Sequence, residues 1–335
     1  MAHNSYISFP GLGIGEFTVN SVAFTLPFGD GIDIAWYALI ITLGMVCCFI
    51  YTVFQAKKIG VTVDDIIDYA LFVIPSGVVG ARLYYVIFDT SGSYNSIVDI
   101  FNIRQGGLAI YGGIIAGALA VFGVSMAKRI NFLSFGDCVA PGVLLAQGIG
   151  RWGNFMNGEA FGAETDWFCR MGLRNSITYN TFETTETVFV HPTFLYESLW
   201  NLSGVLLVYL FSKFVKKKYD GQLVLLTFGW YGLGRMFIEG LRTDSLMIGE
   251  TGIRVSQALA GLLFLVCLTL LIVLAIKKPQ VTLYQKPQLA EDEKLGDISF
   301  KDRLKYLFVA ETNPEIVKVP GKKKKSQNKD NKENK

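Results

Sequence analysis

Apolar residues along this chain gather into long runs separated by short polar stretches. Windows of about 20 residues, the length that spans a hydrocarbon layer of about 30 Å, recur at 35–54, 69–88, 107–127, 132–149, 192–211, 222–241 and 256–276. Seven such windows predict an all-α integral membrane protein with seven transmembrane helices. The windows at 132–149 and 222–241 carry polar residues near one end. Residues 163–190, between the fourth and fifth windows, are rich in Thr and Glu and contain short β-like runs such as TVFV, which predicts a small outer loop domain.

From Lys277 onward the composition turns charged and polar. The chain therefore divides into a membrane domain over residues 1–278 and a basic, partly disordered tail over residues 279–335. Within that tail, KLGDISFKDRLKYLF (294–308) reads as one amphipathic helix lying on the membrane surface. The final GKKKKSQNKDNKENK has too little apolar surface to fold. Residues 1–31 lack a basic segment followed by an apolar stretch and a cleavage site, so no removable signal peptide is expected and the first span does the targeting.

Composition and charge sharpen this picture. The chain is 51% apolar over 335 residues, with a mean hydropathy of +0.38, more than a soluble domain of this length needs for one core. Its net charge of +3 comes largely from the tail, and no basic stripe interleaved with aromatics argues for nucleic acid. Lys57 and Lys58, Lys128 and Arg129, Lys213 with Lys216–Lys218, and Lys277 with Lys278 follow the first, third, fifth and seventh runs. The alternate loops contain no lysine, only Arg104, Arg151, Arg170, Arg174, Arg242 and Arg254. Because basic residues are retained on the cytoplasmic side, the N-terminus is expected outside and the C-terminus in the cytoplasm. Cys47, Cys48, Cys138 and Cys267 fall within spans and Cys169 stands in an outer loop, a spacing that predicts neither a disulfide framework nor a metal site.

Ionisable residues inside spans are expensive, about 2.5–3.5 kcal/mol each on insertion scales, and they converge. With a rise of 1.5 Å per residue, Tyr231, Arg235 and Glu239 lie on one face of the sixth span, in its outer half. Arg151 and Asn154 reach the outer end of the fourth span and Arg82 that of the second. Arg104, Gln105 and Tyr111 of RQGGLAIYGG, with His191, Tyr196 and Glu197 of HPTFLYE, enter from the outer surface at the same depth. Two readings of Arg235 with Glu239 stand side by side, a structural i, i+4 pair and part of a pocket. Arg82 reads as structural, and His191, beside Pro192, either caps and packs or serves as a ligand or base.

The stretch GRWGNFMNGEAFG (150–162) sets Arg151, Asn154, Asn157 and Glu159 among glycines, where backbone approaches a ligand closely. Guanidinium groups pair with phosphate through two parallel hydrogen bonds, and glycine-rich turns such as Gly106–Gly107 add backbone N–H donors. An anionic phospholipid headgroup at the outer leaflet is the ligand this chemistry selects. A transporter would keep its charges at the midplane and show an internal repeat, whereas these cluster toward one surface and no repeat is found. A retinal receptor is excluded because the seventh span has no lysine.

GRWGNFMNGEAFG resembles the signature of the prolipoprotein diacylglyceryl transferase family. GARLYYVIF, GGLAIYGG, HPTFLYES and GWYGLGRMFIEGLRTD extend the similarity, in the family's order, over about residues 20–275. The resemblance implies a seven-span transferase of the bacterial cell membrane, without metal, nucleotide or other cofactor. It would take the diacylglyceryl group from phosphatidylglycerol and place it on the lipobox cysteine of a prelipoprotein signal peptide, releasing glycerol phosphate. It further implies Arg151 as principal lipid contact, Arg235 as a second cation near the leaving phosphate, Asn154 and Glu159 orienting the headgroup or Arg151, and Tyr231 and Glu239 positioning Arg235. Asn157, Gly106, Gly107 and His191 complete the expected binding set. Tyr111 joins Arg151, Arg235 and Glu159 as an expected catalytic residue, but many members have histidine there, and a tyrosine of ordinary pKa near 10 is a poor base at neutral pH; either neighbouring arginines lower its pKa, or the base lies elsewhere, or, the preferred reading, the positive potential of the site supplies the thiolate.

Overall fold

A computed structural model describes residues 4–27, 31–89, 99–100, 102, 106–215, 217–243, 254–277 and 283–285. Arg104, Gln105, the 294–308 segment and the basic C-terminal run lie outside the described residues. The long helices are α1 (Trp36–Ala56), α2 (Val63–Phe88), α3 (Ile110–Lys128), α4 (Phe132–Asn157), α6 (Thr193–Phe214), α7 (Gln222–Glu239) and α8 (Val255–Lys277); a short α5 (Ser176–Phe182) sits outside the bundle. Among the described residues, six helices are long and apolar enough to cross a membrane. Helix α7 forms where the sequence places it, but its 18 residues include Arg235 and Glu239, and it falls short of that measure.

Helix boundaries follow local chemistry. Thr62 and Asp65 form a reciprocal capping box that starts α2 six residues earlier than the apolar run suggests. Those first turns hold Asp65 and Asp68, both paired with Lys128 at the end of α3. A hydropathy window excludes such charges, while the folded chain pairs them at the helix ends. Helix α4 begins at an Asn131 cap, its side chain accepting from Ser134 N–H at 2.9 Å, and ends at Gly158 in the left-handed region (φ 58°).

Helices pack in close pairs, α1 with α4, α2 with α3, and α7 with α8, while α6 and α7 complete the body around α4. The α2–α3 contact runs through glycine: a methyl group on Gly112 would meet the Gly80 carbonyl oxygen at 2.3 Å. This is the small-residue packing that brings membrane helices together. The α2–α3 pair touches the body chiefly at the basic end, where Ala56, Ile59, Ile66, Tyr69, Val124, Ile130 and Phe135 form one buried cluster.

The opposite end carries a β-cap. Strands β1 (Asn4–Phe9), β2 (Ile14–Asn20), β5 (Met171–Arg174) and β6 (Val188–Val190) form an antiparallel sheet in the order β2-β1-β5-β6, and β3 (Val22–Leu26) pairs with β4 (Ile32–Ala35) in a separate hairpin that leads into α1. The sequence pattern predicts the cap from the 163–190 insert alone. Half of its sheet comes instead from the N-terminal residues, because β1 inserts beside β5 with Ile7 opposite Leu173. Ile7, Leu173 and Val190 are fully buried over Phe161 and Phe194, with Phe155 and Met156 of α4 packed beneath. The cap is thereby fixed onto the ends of α4 and α6.

Candidate active site

Three helix ends and one turn meet beneath the cap. Helix α4 supplies Arg151 and Asn154, α6 supplies Glu197, α7 supplies Tyr231, Arg235 and Glu239, and the turn after α7 supplies Arg242. Glu197 is 4% exposed. Its carboxylate receives Arg151 Nη2 at 2.5 Å and Arg235 Nη1 at 2.7 Å, with Arg242 Nη1 at 3.7 Å. Arg235 Nη2 reaches Glu239 at 2.5 Å, the i, i+4 contact that the one-face spacing predicts.

On its other side Arg151 donates through Nη1 to Asn154 Oδ1 at 3.3 Å. The Asn154 amide then donates to Glu159 Oε1 at 3.0 Å, and Asn157 donates to the same oxygen at 3.2 Å. Gly158 makes this possible: its left-handed backbone reverses the chain at the end of α4 and returns Glu159 over the two asparagines. The result is a continuous chain of polar contacts, from Glu159 through Asn154, Arg151, Glu197 and Arg235 to Glu239. Each guanidinium has five N–H donors, so Arg151 keeps donors for a ligand while holding these partners.

Arg151 also lines one end of a cavity. A volume of about 570 Å³ runs between the α2–α3 pair and the α1–α4 pair, with Arg151, Asn154, Tyr231 and Tyr37 at its polar end. The rest of its wall is largely apolar and continues to Thr52, Ile66, Tyr69 and Phe135 at the basic end. From Tyr37 to Thr52 along α1 the cavity extends about 22 Å at helical rise. The size falls in the range of about 300–1,000 Å³ for small-ligand sites, and an elongated apolar groove beside a guanidinium fits an acyl chain beside a phosphate.

The structure brings together Arg151, Asn154, Asn157, Glu159, Tyr231, Arg235 and Glu239, as the sequence predicts. Arg235 and Glu239 do not line the cavity wall; they stand behind Arg151 and act on it through Glu197. Other expected residues are placed elsewhere. The Tyr111 hydroxyl lies 3.4 Å from Ser256 Oγ, between α3 and α8, and its side of the helix is not among the lining residues. Gly106 and Gly107 turn their carbonyls to Arg82 Nη1 at 2.9 and 3.0 Å. Arg82 binds the Asp99 and Ile100 carbonyls as well, so it organises the connection from α2 to α3, the structural role its sequence context indicates. His191 faces Tyr196 Oη at 3.3 Å, which in turn meets Cys169 Sγ at 3.2 Å. This group belongs to the cap, and burial holds the His191 imidazole below its ordinary value.

Glu197 and Arg242 carry roles the sequence reading did not assign. The signal for Glu197 was present, a carboxylate within an apolar helix. Arg242 reads in sequence as one of several outer-loop arginines and is distinguished only by its distance to Glu197.

The profile of the family described as prolipoprotein diacylglyceryl transferase matches residues 21–273. The chain belongs to this family. It is 43% identical over 244 residues to the phosphatidylglycerol–prolipoprotein diacylglyceryl transferase of Clostridioides difficile (strain 630), covering 72% of this chain and 90% of that one. It is 40% identical over 259 residues to the enzyme of the same name from Streptococcus suis (strain 05ZYH33), covering 76% and 92%. The enzyme so named from Enterococcus faecalis (strain ATCC 700802 / V583) is 40% identical over 270 residues, 80% of this chain and 95% of its own. Every member of the polar chain from Arg151 to Arg242 falls within the matched region, so this transferase holds its cluster on the family's own scaffold.

Proposed function

We propose that this chain transfers the diacylglyceryl group of phosphatidylglycerol to the cysteine sulfur of a prelipoprotein lipobox. The observation that carries the proposal is Arg151 at the polar end of the long apolar cavity, backed through Glu197 by Arg235. A phospholipid would place an acyl chain among the α1, α2 and α4 side chains and its phosphate at Arg151 and Asn154.

The reaction forms a carbon–sulfur bond at the glyceryl carbon and breaks the carbon–oxygen bond to phosphate. The bonding pair leaves on glycerol phosphate, and the thiol proton passes to solvent or to the departing group. Charge builds on the phosphate oxygens, and Arg151 stabilises it in a water-poor site where its field is little screened. Arg235 and Arg242 add positive potential from behind Glu197. The same potential favours thiolate over a thiol of ordinary pKa near 8.5. Glu159, through Asn154 and Asn157, fixes the orientation of the side chain that meets the headgroup.

The chain sits in this reading as a multi-pass protein of the bacterial cell membrane, its lysine-rich end in the cytoplasm and its β-cap outside. Helix α7 is the sixth of seven spans, its charges neutralised inside the bundle rather than exposed to lipid. The test incubates the purified chain with phosphatidylglycerol and a lipobox peptide and reads the peptide by mass. A gain of one diacylglyceryl group supports the proposal; an unmodified peptide beside an active reference transferase rejects it. In the same assay Tyr111→Phe is expected to lose at least an order of magnitude less activity than Arg151→Ala, because its hydroxyl faces Ser256; the reverse ranking would make Tyr111 the base.

A further inference from the structure

Residues 283–285 follow the last long helix and return to the basic end of the bundle. Tyr284 is 4% exposed there. Its backbone N–H donates to Asp220 Oδ2 at 2.9 Å and its hydroxyl to the Arg129 carbonyl at 2.8 Å. Gln285 Nε2 donates to the Lys58 carbonyl at 3.2 Å. Three bonds thus tie this segment to the turns after α1 and α3 and to the turn before α7. Asp220 is itself held by Lys217 at 2.9 Å, which also binds the buried Asp137 of α4 at 2.9 Å.

The ring of Tyr284 belongs to the same buried cluster as Ile66, Tyr69 and Phe135. Those three residues also line the inner end of the cavity. Tyr69 and Phe135 stack at 3.8 Å between ring centroids, and the Tyr69 hydroxyl is held by Ser125 Oγ at 2.7 Å. Tyr284, after the last long helix, therefore shares one buried cluster with the side chains that close this end of the cavity. The family profile ends at Val273, so Tyr284 lies beyond the matched region.

We infer that Tyr284 backs the floor of the acyl-chain cavity and limits the length of chain that this enzyme accepts. The inference rests on the reading of the cavity as the lipid site. Interiors are close-packed, so a floor layer keeps its position only while its far side is filled. Removing the Tyr284 ring lets Tyr69 and Phe135 settle into the vacated space and lengthens the cavity from below. A chain too long for the wild-type floor overpacks it, a penalty of at least about fivefold that the vacated space relieves.

The experiment offers the full-length chain an equimolar mixture of phosphatidylglycerols of shorter and longer acyl chains, and the peptide product is resolved by mass. Tyr284→Ala is expected to raise the ratio of longer to shorter product at least about fivefold, with Tyr284→Phe, which keeps the ring, close to wild type. Tyr284→Leu fills part of the space and is expected between the two, and it serves where the alanine variant does not fold. A wild-type length ratio in the folded alanine or leucine variant, with or without a loss of total turnover, would leave Tyr284 a stabilising contact and overturn the inference. The failure of the wild-type chain to modify the peptide with any lipid would instead strike the proposed activity itself.

Discussion

Replacing Arg151 with alanine is expected to lower diacylglyceryl transfer by about two to three orders of magnitude, the loss that follows when one preorganised donor is removed from a developing oxyanion. The structure gives a reason for the upper part of that range. Arg151 is the guanidinium at the cavity wall, and Arg235, its nearest substitute, is held behind it by Glu197 and Glu239. The alanine variant also leaves Glu197 with one ion-pair partner fewer and frees the Asn154 carbonyl oxygen. Arg151→Lys keeps the charge but cannot make two parallel hydrogen bonds, and it should recover only a minor part of the rate. Turnover of purified variants, with thermal unfolding in detergent as a check on folding, measures this. Activity of Arg151→Ala within tenfold of wild type would remove the headgroup contact from the mechanism.

Glu197→Ala is the second variant of large expected effect, and it acts through a different route. The Glu197 side chain is 5% exposed and collects three arginines. Removing one member of a buried ion pair leaves uncompensated charge, at a cost of about 3–5 kcal/mol. Here the guanidiniums of Arg151, Arg235 and Arg242 would repel one another with no carboxylate between them. Glu197→Ala is expected to lower the thermal midpoint and abolish most activity together. Glu197→Gln keeps the volume and one acceptor, so it should fold better while remaining strongly impaired. Combining Glu197→Ala with Arg235→Ala should lose less stability than the two single losses summed, because residues in one network are not additive. Additive losses would mean that the pair does not couple in solution.

Much of this site is legible in the sequence, and the reason is local geometry. Tyr231, Arg235 and Glu239 share a face because four residues make about one helical turn, and the Arg235–Glu239 contact follows. Arg151, Asn154 and Glu159 lie within nine residues, so a helix end and one left-handed glycine suffice to assemble them. Gly106 and Gly107 show the opposite case. Their carbonyls accept from Arg82 of α2, a partner far away in sequence that no local pattern points to. Tyr111 also shares a depth with the arginines without sharing their direction, since depth is set by rise along a helix and direction by how that helix is rotated in the bundle.

The long helices, the basic and capped ends, and the level at which charged groups collect follow from the order of residues alone, because apolar length, helical period and charge placement are properties of neighbouring residues. Tertiary structure alone decided that Glu197 would be the carboxylate joining two helices' arginines, that N-terminal strands would complete the cap, and that Tyr284 would stand under the cavity floor. Those outcomes depend on contacts between residues far apart in the chain, fixed by close packing and by the pairing of buried polar groups, and no local pattern records them.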